Sequence, residues 1–312
     1  MDTPVAFIIF NRPDLTRRSF EQIRAAEPRQ LFLIADGPRE SRPAEVELCA
    51  ETRQVVEAID WECEVRRDFS PVNLGCRVRV SSGIDNVFDS VDRAIIIEDD
   101  CVPHQDFFTF CDELLNRYED DPRVGVITGD NFQGGVLRGD GSYYFSKYNH
   151  VWGWATWRRA WQHYDVRMEF WPGWRDSAEF TEVCPDPAER SYWRRQFDRV
   201  HAGRIDTWDL QWTAANWHEG LLTATPNVNL VANLGFGPEA THTKVPTAAA
   251  SMPTERIGEL VHPSVVTVDA AADRLTYDRM FGDMAARSRR RPIGFARWAF
   301  GETRRRLAGR AW

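Results

Sequence analysis

The chain has 312 residues, of which 43% are hydrophobic, and a formal net charge of −8 at pH 7. This length and composition can bury the core of one large domain, or of a domain with a subdomain. No apolar run is long enough to span a membrane, and the first ten residues enter a strand pattern without the features of a signal peptide. We therefore expect neither a transmembrane helix nor a secretory leader.

The cysteines indicate the compartment in which the chain works. They are scattered and form no CxxC pair, a spacing that is typical neither of a zinc site nor of a disulfide scaffold. We expect free thiols in a reduced, cytoplasmic environment. The six residues are Cys49, Cys63, Cys76, Cys101, Cys111 and Cys184.

Charge is distributed unevenly along the chain. Residues 287–312 contain nine arginines and one acid, Glu302, so this stretch carries +8 and the remainder −16, which together make the −8 of the whole chain. An acidic body argues against nucleic acid as the main partner. The basic, aromatic stretch predicts a helical tail. Such a tail either lies on an anionic membrane, here the inner face, or docks on the acidic body of the same chain.

Apolar runs in the first 90 residues alternate with helical patterns. They predict strands at residues 5–10, 31–35 and 63–69, and helices after Pro13 and over residues 44–59 and 78–88. This alternation indicates a parallel-type sheet covered by helices on both faces. Ligands of such sheets bind beyond the strand ends, where the sequence places Phe10, Asn11, Arg12, Asp36 and the turn Asn73-Leu74-Gly75.

These strand-end residues have alternative interpretations. Arg12 suits a phosphate partner, although a solvated loop arginine is as common. Asp36 suits a ribose hydroxyl or a base N–H, although Asp36-Gly37-Pro38 is also an ordinary turn. Neither GxGxxG nor a P-loop motif follows any strand, so a dinucleotide fold and a P-loop fold are not supported.

The strand predicted at residues 94–97 runs directly into Glu98, Asp99 and Asp100, which we call the acidic triplet. A buried strand cannot carry unpaired ionised carboxylates, so the triplet must follow the strand's carboxyl end and meet a cation. One interpretation is a divalent metal whose shell a phosphorylated ligand completes. The alternative is a solvated acidic turn.

The second half of the chain combines tryptophans with further acids. A strand at residues 124–128 leads into Asp130 and Asn131, and the Trp152-Gly153-Trp154 segment is predicted to open a helix. Its indoles form either a sugar-stacking wall or core. The segment Asp206-Thr207-Trp208-Asp209-Leu210-Gln211-Trp212 is predicted to open a helix that continues through residue 218. Asp209 is there either an N-cap or a general base, with Asp206 as its rival.

Together these features resemble the GT-A class of nucleotide-sugar-dependent glycosyltransferases over residues 4–243. The opening strand with Asn11 and Arg12, then Asp36 and the Asn73 turn, resembles bacterial family-2-type enzymes. Other segments resemble N-acetylglucosaminyltransferase I: the acidic triplet with Asp106-Phe107-Phe108, the Trp208–Trp212 segment, and Gly235-Phe236-Gly237 followed by His242. Two departures, Gln211 and the residues after the Asn73 turn, leave the donor sugar open.

The resemblance implies a GT-A type, Rossmann-like α/β/α sandwich of three layers, with a mostly parallel sheet and a helical C-terminal part. The catalytic domain would span residues 1–243, with a nucleotide-binding half at 1–128 and an acceptor half at 129–243. Residues 244–264 are Pro/Ala/Thr-rich and predict a linker or a loosely packed segment. Together with the basic tail they complete a C-terminal region at 244–312.

The resemblance also implies an inverting, metal-dependent transfer from a nucleoside-diphosphate sugar, a UDP-sugar being favoured, to a hydroxyl of a saccharide or lipid-linked acceptor. Asp100 and His242 would bind Mn²⁺ or Mg²⁺, and Asp209 would be the catalytic base. The residues expected at the donor are Phe10, Asn11, Arg12, Asp36, Asn73, Gly75, Glu98 and Asp99. Those expected around the acceptor are Asp130, Asn131, Trp152, Gly153, Trp154, Trp208 and Trp212.

Two other functions stay open from the sequence. A nucleotidyltransferase shares the sheet and the need for metal, but the chain lacks the glycine-rich, lysine-bearing N-terminal loop that such enzymes usually show. A non-catalytic protein that binds sugars through its tryptophans is the other possibility. The intact acids at positions 98–100 and 209 argue against it.

Overall fold

The computed structural model of the chain describes residues 1–236 and 252–282. Within these ranges ten strands form two sheets. The strands are β1 (Val5–Ile9), β2 (Gln30–Ala35), β3 (Glu64–Phe69), β4 (Arg93–Glu98), β5 (Cys101–Pro103), β6 (Val124–Thr128), β7 (Tyr143–Ser146), β8 (Trp154–Trp157), β9 (Leu222–Pro226) and β10 (Val231–Asn233). The larger, 8-stranded sheet has the order β3-β2-β1-β4-β8-β6-β9-β7, and β10 pairs with β5 in the smaller one.

Ten α-helices connect and cover these strands in the described ranges. They are α1 (Pro13–Ala26), α2 (Glu45–Val55), α3 (Cys76–Phe88), α4 (Gln105–Arg117), α5 (Arg158–Trp161), α6 (Trp171–Trp174), α7 (Ala178–Val183), α8 (Pro187–His201), α9 (Asp209–His218) and α10 (Ala270–Thr276). A π-helical turn, Tyr277–Gly282, follows α10.

The central strands are buried on both faces because their side chains alternate between two cores. On one face, Phe7 of β1 packs in the same cluster as Phe20 of α1 and Phe107 of α4. On the other face, Ile8 shares a cluster with Ile84 of α3 and residues of α9. The α/β class and its three-layer arrangement, predicted from the sequence, are therefore confirmed.

Strand direction decides which loops meet. The pairs β1–β2, β2–β3 and β1–β4 are parallel, as is β6–β9. Because β8 is antiparallel to both β4 and β6, those two strands are parallel to each other. The sheet is thus mostly parallel, as predicted, and six strands end at one edge.

The Trp152-Gly153-Trp154 segment does not open a helix as the sequence predicted. Trp154–Trp157 is strand β8, which pairs with β4 on one side and β6 on the other. Its residues alternate between the two cores, with Trp154 on one face and Trp157 on the other. β4 and β6 are joined through β8, and only an extended segment can form backbone hydrogen bonds with a strand on each side. This pairing outweighs the local preference of the segment for a helix.

Residues 244–264 were predicted to be a linker or a loosely packed segment, and the described part, from residue 252, makes hydrogen bonds to the rest of the chain. The backbone N–H groups of Ile257 and Gly258 donate to Oδ2 of Asp106, at 3.0 and 3.3 Å. Val261 and Ser142 exchange backbone and side-chain hydrogen bonds at 2.7 and 2.9 Å. An irregular segment can pack in this way because side chains satisfy its backbone.

Other predictions concern residues outside the described ranges. His242, Gly237 and the basic tail at 287–312 all lie there. Within the described part, no helix combines the length and the apolarity needed to cross a membrane.

Helix α3 lies against β2 at Gly83, where an added Cβ would stand 2.5 Å from Cγ2 of Ile34. We predict that Gly83→Ala lowers the free energy of unfolding by about 1–3 kcal/mol, because overpacking outweighs the better helix propensity of alanine. Urea denaturation measures this change. Val78→Ala, at a 42% exposed position of the same helix, is the control and should be close to neutral. Equal stability of the Gly83 variant would contradict the close packing.

Candidate functional site

The acidic triplet lies at the carboxyl end of β4, where the sequence placed it. Glu98 is the last residue of the strand, and Asp99 and Asp100 form the turn into β5. The N–H of Leu234 donates to the backbone oxygen of Asp100 at 2.8 Å, so the strand after the turn is held by β10. The turn is therefore rigidly built into the sheet edge.

Arg12 supplies the cation that the triplet requires. From the loop between β1 and α1, its Nη1 bonds to Oδ2 of Asp100 at 2.8 Å, and its Nη2 bonds to Oδ1 of Asp99. The N–H of Phe10 donates to the other oxygen of Asp99 at 3.1 Å. Burial works against the charge of Arg12, but Asp99 and Asp100 raise its pKa well above its ordinary value. Arg12 thus stays positively charged and forms ion pairs with two carboxylates.

Glu98 has no hydrogen-bond partner among the described residues. Its burial, together with the charges of Asp100 and Asp99, raises its pKa to about 8, although Arg12 opposes this shift. The side chain is therefore mainly protonated at neutral pH in the chain without ligand. A cation near Glu98 would reverse this by favouring the carboxylate.

Asp209 is the first residue of α9. Its charge contributes to the raised pKa of Glu98, so the two carboxyl groups lie within electrostatic range of each other. The hydroxyl of Thr207 donates to Oδ1 of Asp209, and the amide of Gln211 donates to the backbone oxygen of Thr207 at 2.6 Å. Thr207 was not singled out from the sequence. Its only signal there is a hydroxyl two residues before the proposed base.

Asp206 has a different role from Asp209. Its two oxygens accept the N–H groups of Cys76 and Arg77 at the start of α3, at 3.2 and 3.1 Å. Gly75, at φ +80°, lies so close that an added Cβ would stand 2.9 Å from the Asp206 carboxylate. Asp206 therefore caps α3 across space. For α9 the N-cap is Trp208, without a side-chain cap, so Asp209 is not an N-cap.

Asp36 and Asn73 bind each other rather than standing free. Asp36 accepts from the N–H groups of Gly37 and Leu74, each at 2.9 Å, and of Gly75 at 3.1 Å. The amide of Asn73 donates to Asp36 and to the backbone oxygen of Gly37, at 3.0 and 2.8 Å. These two residues fix the turn before α3. Asn11 makes no hydrogen bond with its side chain in the described ranges.

The predicted tryptophan wall is largely core. Trp154, Trp208 and Trp212 are at most 2% exposed, and Trp154 stacks on Trp208 at 5.6 Å between ring centroids. These three indoles hold α9 against β8, so the prediction that they contact sugar is not retained. Trp152 is half-buried and packs edge-to-face on Phe132 and Phe236, at 5.3 and 5.5 Å.

The register of β4, β8 and β6 places Asp130 level with Glu98 across the sheet. Ile96 of β4 and Thr128 of β6 both lie opposite Trp154, so Glu98 and Asp130 fall level with Trp152 on either side. The N–H of Trp152 donates to Oδ2 of Asp130 at 3.0 Å, while the fully buried Oδ1 has no partner in the described part. Burial raises the pKa of Asp130 well above its ordinary value. Asn131 instead donates to the backbone oxygen of Pro226 at 2.6 Å and supports the loop.

Two polar residues next to Trp152 were missed by sequence analysis. Asn149 is buried, and both side-chain polar atoms lack a partner among the described residues. His150 packs edge-to-face on Phe132 at 4.5 Å, and burial lowers its pKa to about 3. The available signal was a polar pair directly before the Trp152-Gly153-Trp154 segment. Gly153 itself, at φ +81°, passes too close to Val231 for a Cβ.

The donor set at the triplet suits a hard divalent cation, because it offers carboxylate oxygens without sulfur or imidazole ligands. No three His, Cys, Asp or Glu side chains in the described ranges are arranged to hold a metal ion. Mg²⁺-type sites, however, often use one or two carboxylates and complete their shell with water and substrate phosphates. Asp100 and Glu98 fit that pattern. The predicted ligand His242 lies outside the described residues.

No protein-family model and no curated protein matches the chain. Among solved structures it is similar to mouse xyloside xylosyltransferase 1, with 11% identity over 70% of this chain and 84% of that chain, at a TM-score of 0.33. It is also similar to UTP-bound UGPase from Acinetobacter baumannii, with 10% identity over 75% of this chain and 88% of that chain, at a TM-score of 0.33. Values this low carry no argument about function, which must come from the residues of the site.

The raised pKa of Glu98 predicts how stability depends on pH. An unfolded glutamate titrates near pH 4.3, so between that pH and about 8 the folded chain holds a proton that the unfolded chain releases. The contribution of Glu98 to the free energy of unfolding therefore falls as the pH rises from about 4.3 to about 8. Glu98→Gln removes the effect, and should match the wild type at pH 4.5 but melt at least about 2 °C higher at pH 8.

Thermal unfolding in a chelator-containing buffer at both pH values measures this difference. Glu47→Gln, at an exposed position of α2, is the control and should follow the wild type at both pH values. A melting difference between Glu98→Gln and the wild type that does not grow with pH would contradict the assignment.

Proposed function

We propose that this chain is an inverting glycosyltransferase of the GT-A type, which transfers a sugar from a nucleoside diphosphate, UDP being favoured, to an acceptor hydroxyl. One observation carries the proposal. Three separate elements bring four carboxyl groups and one guanidinium to the carboxyl edge of a mostly parallel sheet. These groups belong to Glu98, Asp99 and Asp100 after β4, Arg12 after β1, and Asp209 on α9. Such edges are where open α/β sheets bind nucleotides.

The donor would lie across the ends of β1, β2 and β4. Arg12 is the cation suited to its diphosphate, because a planar guanidinium matches phosphate oxygens in a fork. Phe10 and Asn11 border the place of the nucleoside, and the guanidinium of Arg39 lies 5.2 Å from the Phe10 ring centroid. Asp36 and Asn73 act indirectly, because they fix the turn that borders the proposed nucleoside position.

A divalent ion, Mn²⁺ or Mg²⁺, would be held by Asp100 with Glu98, and when bound it would neutralise charge on the diphosphate. The chain's own residues perform the remaining tasks. Asp209 takes the proton of the acceptor hydroxyl, and Thr207 orients its carboxylate. The acceptor oxygen bonds to the anomeric carbon while the bond from that carbon to the phosphate oxygen breaks, and the diphosphate leaves with the electron pair. A single displacement with one base inverts the anomeric centre.

The acceptor would approach from the side of Trp152. The partly exposed face of this indole suits a sugar ring. Asp130 accepts the backbone N–H of Trp152, and His150 packs on Phe132, which in turn packs on this indole. Burial raises the pKa of Asp130 and lowers that of His150 to about 3, and both shifts favour the uncharged forms, which suit a saccharide hydroxyl better than an ionic acceptor.

Donor binding tests the proposal first. We predict that one member of a panel of UDP-, GDP-, dTDP- and CMP-sugars binds and is slowly hydrolysed only with Mn²⁺, and that Asp100→Ala lowers hydrolysis by about 100-fold or more. Calorimetry and assay of the released nucleotide measure the two effects. Asp92→Ala, whose side chain is 83% exposed, is the matched control and should behave as wild type. Pyrophosphate release from a nucleoside triphosphate and a sugar phosphate would instead indicate nucleotidyl transfer.

Substitution of the proposed base should separate chemistry from binding. Asp209→Asn keeps the shape but cannot accept the proton, so we predict that kcat falls by about 10²–10⁴-fold while donor affinity changes little. Steady-state kinetics with the identified donor, together with donor titration, measure both. Asp206→Asn makes the same change in charge on the same loop and should retain most turnover. The opposite result for the two variants would assign the base to Asp206.

A further inference from the structure

Arg12 occupies the carboxylates that the proposed metal needs. Its guanidinium bridges Asp99 and Asp100, whose side chains are only 3% and 14% exposed. The oxygen of Asp100 that Arg12 contacts is also closed from another side, because a Cβ on Gly235 would overlap it. The other Asp100 oxygen accepts the thiol of Cys101 at 3.4 Å. A divalent ion therefore has little free access to this carboxylate while Arg12 is in place.

Electrostatic repulsion prevents Arg12 and a divalent ion from binding the Asp100 carboxylate at the same time. A guanidinium and a divalent ion on the same carboxylate would stand a few ångströms apart in a poorly hydrated site, where repulsion between like charges is strong. One of the two cations must leave when the other binds. A diphosphate offers Arg12 an alternative anionic partner at the same sheet edge, with the fork geometry that arginine prefers.

We propose that Arg12 is a resident counter-cation that holds the metal site closed, and that the nucleoside diphosphate opens it by drawing Arg12 away from Asp99 and Asp100. This inference rests on the proposed function. It makes the binding of metal and of nucleotide mutually dependent, in addition to any direct contact between them. The nucleotide draws Arg12 away from the metal site, and the metal releases Arg12 to bind the nucleotide.

The surroundings of Arg12 permit the exchange. Its side chain is 27% exposed, so it can turn toward a ligand, while its backbone oxygen stays fixed by the N–H and hydroxyl of Thr16, at 2.9 and 2.8 Å. Asp99 keeps one partner after Arg12 leaves, because the N–H of Phe10 still donates to it at 3.1 Å. Asp99 and Asp100 then both lack their cation, and Asp100 is the residue proposed to take the metal.

The test measures Mn²⁺ binding to the full chain by the loss of the aqueous Mn²⁺ signal in electron paramagnetic resonance, so it does not depend on activity. Without nucleotide, Arg12→Gln should bind Mn²⁺ about tenfold more tightly than the wild type, because the competing cation is gone. Saturating UDP should tighten Mn²⁺ binding strongly in the wild type and by a smaller factor in the variant. UDP affinity itself should fall in Arg12→Gln.

Two further variants keep the result interpretable. Arg17→Gln removes a positive charge from α1, at a 56% exposed side chain whose one ion pair among the described residues is with Asp14, and should bind Mn²⁺ as the wild type does. Arg12→Lys retains a competing cation and should stay near the wild type without UDP. Melting temperatures confirm that each variant is folded.

Unchanged or weaker Mn²⁺ binding by folded Arg12→Gln would overturn the inference while leaving the proposed function intact. A tenfold gain shared by Arg17→Gln would also overturn it, because it would show only a general effect of charge. Failure of the wild type to bind any nucleotide sugar of the panel, or to bind Mn²⁺ even in the presence of such a nucleotide, would instead reject the proposed function, and this inference with it.

Discussion

The structure depends on how it accommodates three consecutive carboxyl groups at the end of a central strand whose interior residues are all buried. Burying ionised carboxylates is costly unless they are paired or protonated. The chain uses both solutions: Arg12 pairs with Asp99 and Asp100, and Glu98 holds a proton up to about pH 8. Arg12 can reach the triplet only because β1 and β4 are parallel neighbours whose ends coincide. The sheet topology and the charge arrangement are therefore parts of one solution.

Carboxylates also organise the loops around this centre. Asp36 gathers the N–H groups of the turn before α3, and Asp206 caps the helix that follows the turn. Both acids fix backbone that borders the site. The aspartates at these strand ends are thus of two kinds, those that hold loop backbone and those that pair with Arg12, and residue type alone does not separate them.

The tryptophans show the same division. Trp208 and Trp212 pack on Trp154 and dock α9 against the sheet, which sets the position of Asp209 on that helix. Trp152, two residues before Trp154, lies at the strand's beginning and remains partly exposed. The aromatic cluster therefore holds the helix that carries Asp209 against the sheet, and its large side chains are core.

The sequence by itself determined the α/β class, the end of β4 at the triplet and the start of α9 at Asp209, because these follow from apolar runs, β-branched residues and breaks in local pattern. Only the tertiary structure decided that Trp154 lies in a strand, that Asp206 caps a helix far away in the chain, and that Arg12 grips Asp99 and Asp100. Each of these depends on pairings between segments separated by many residues, and local propensity contains no information about them. The position of the triplet at the end of β4 therefore follows from the sequence, whereas the partners of its charges follow only from the tertiary structure.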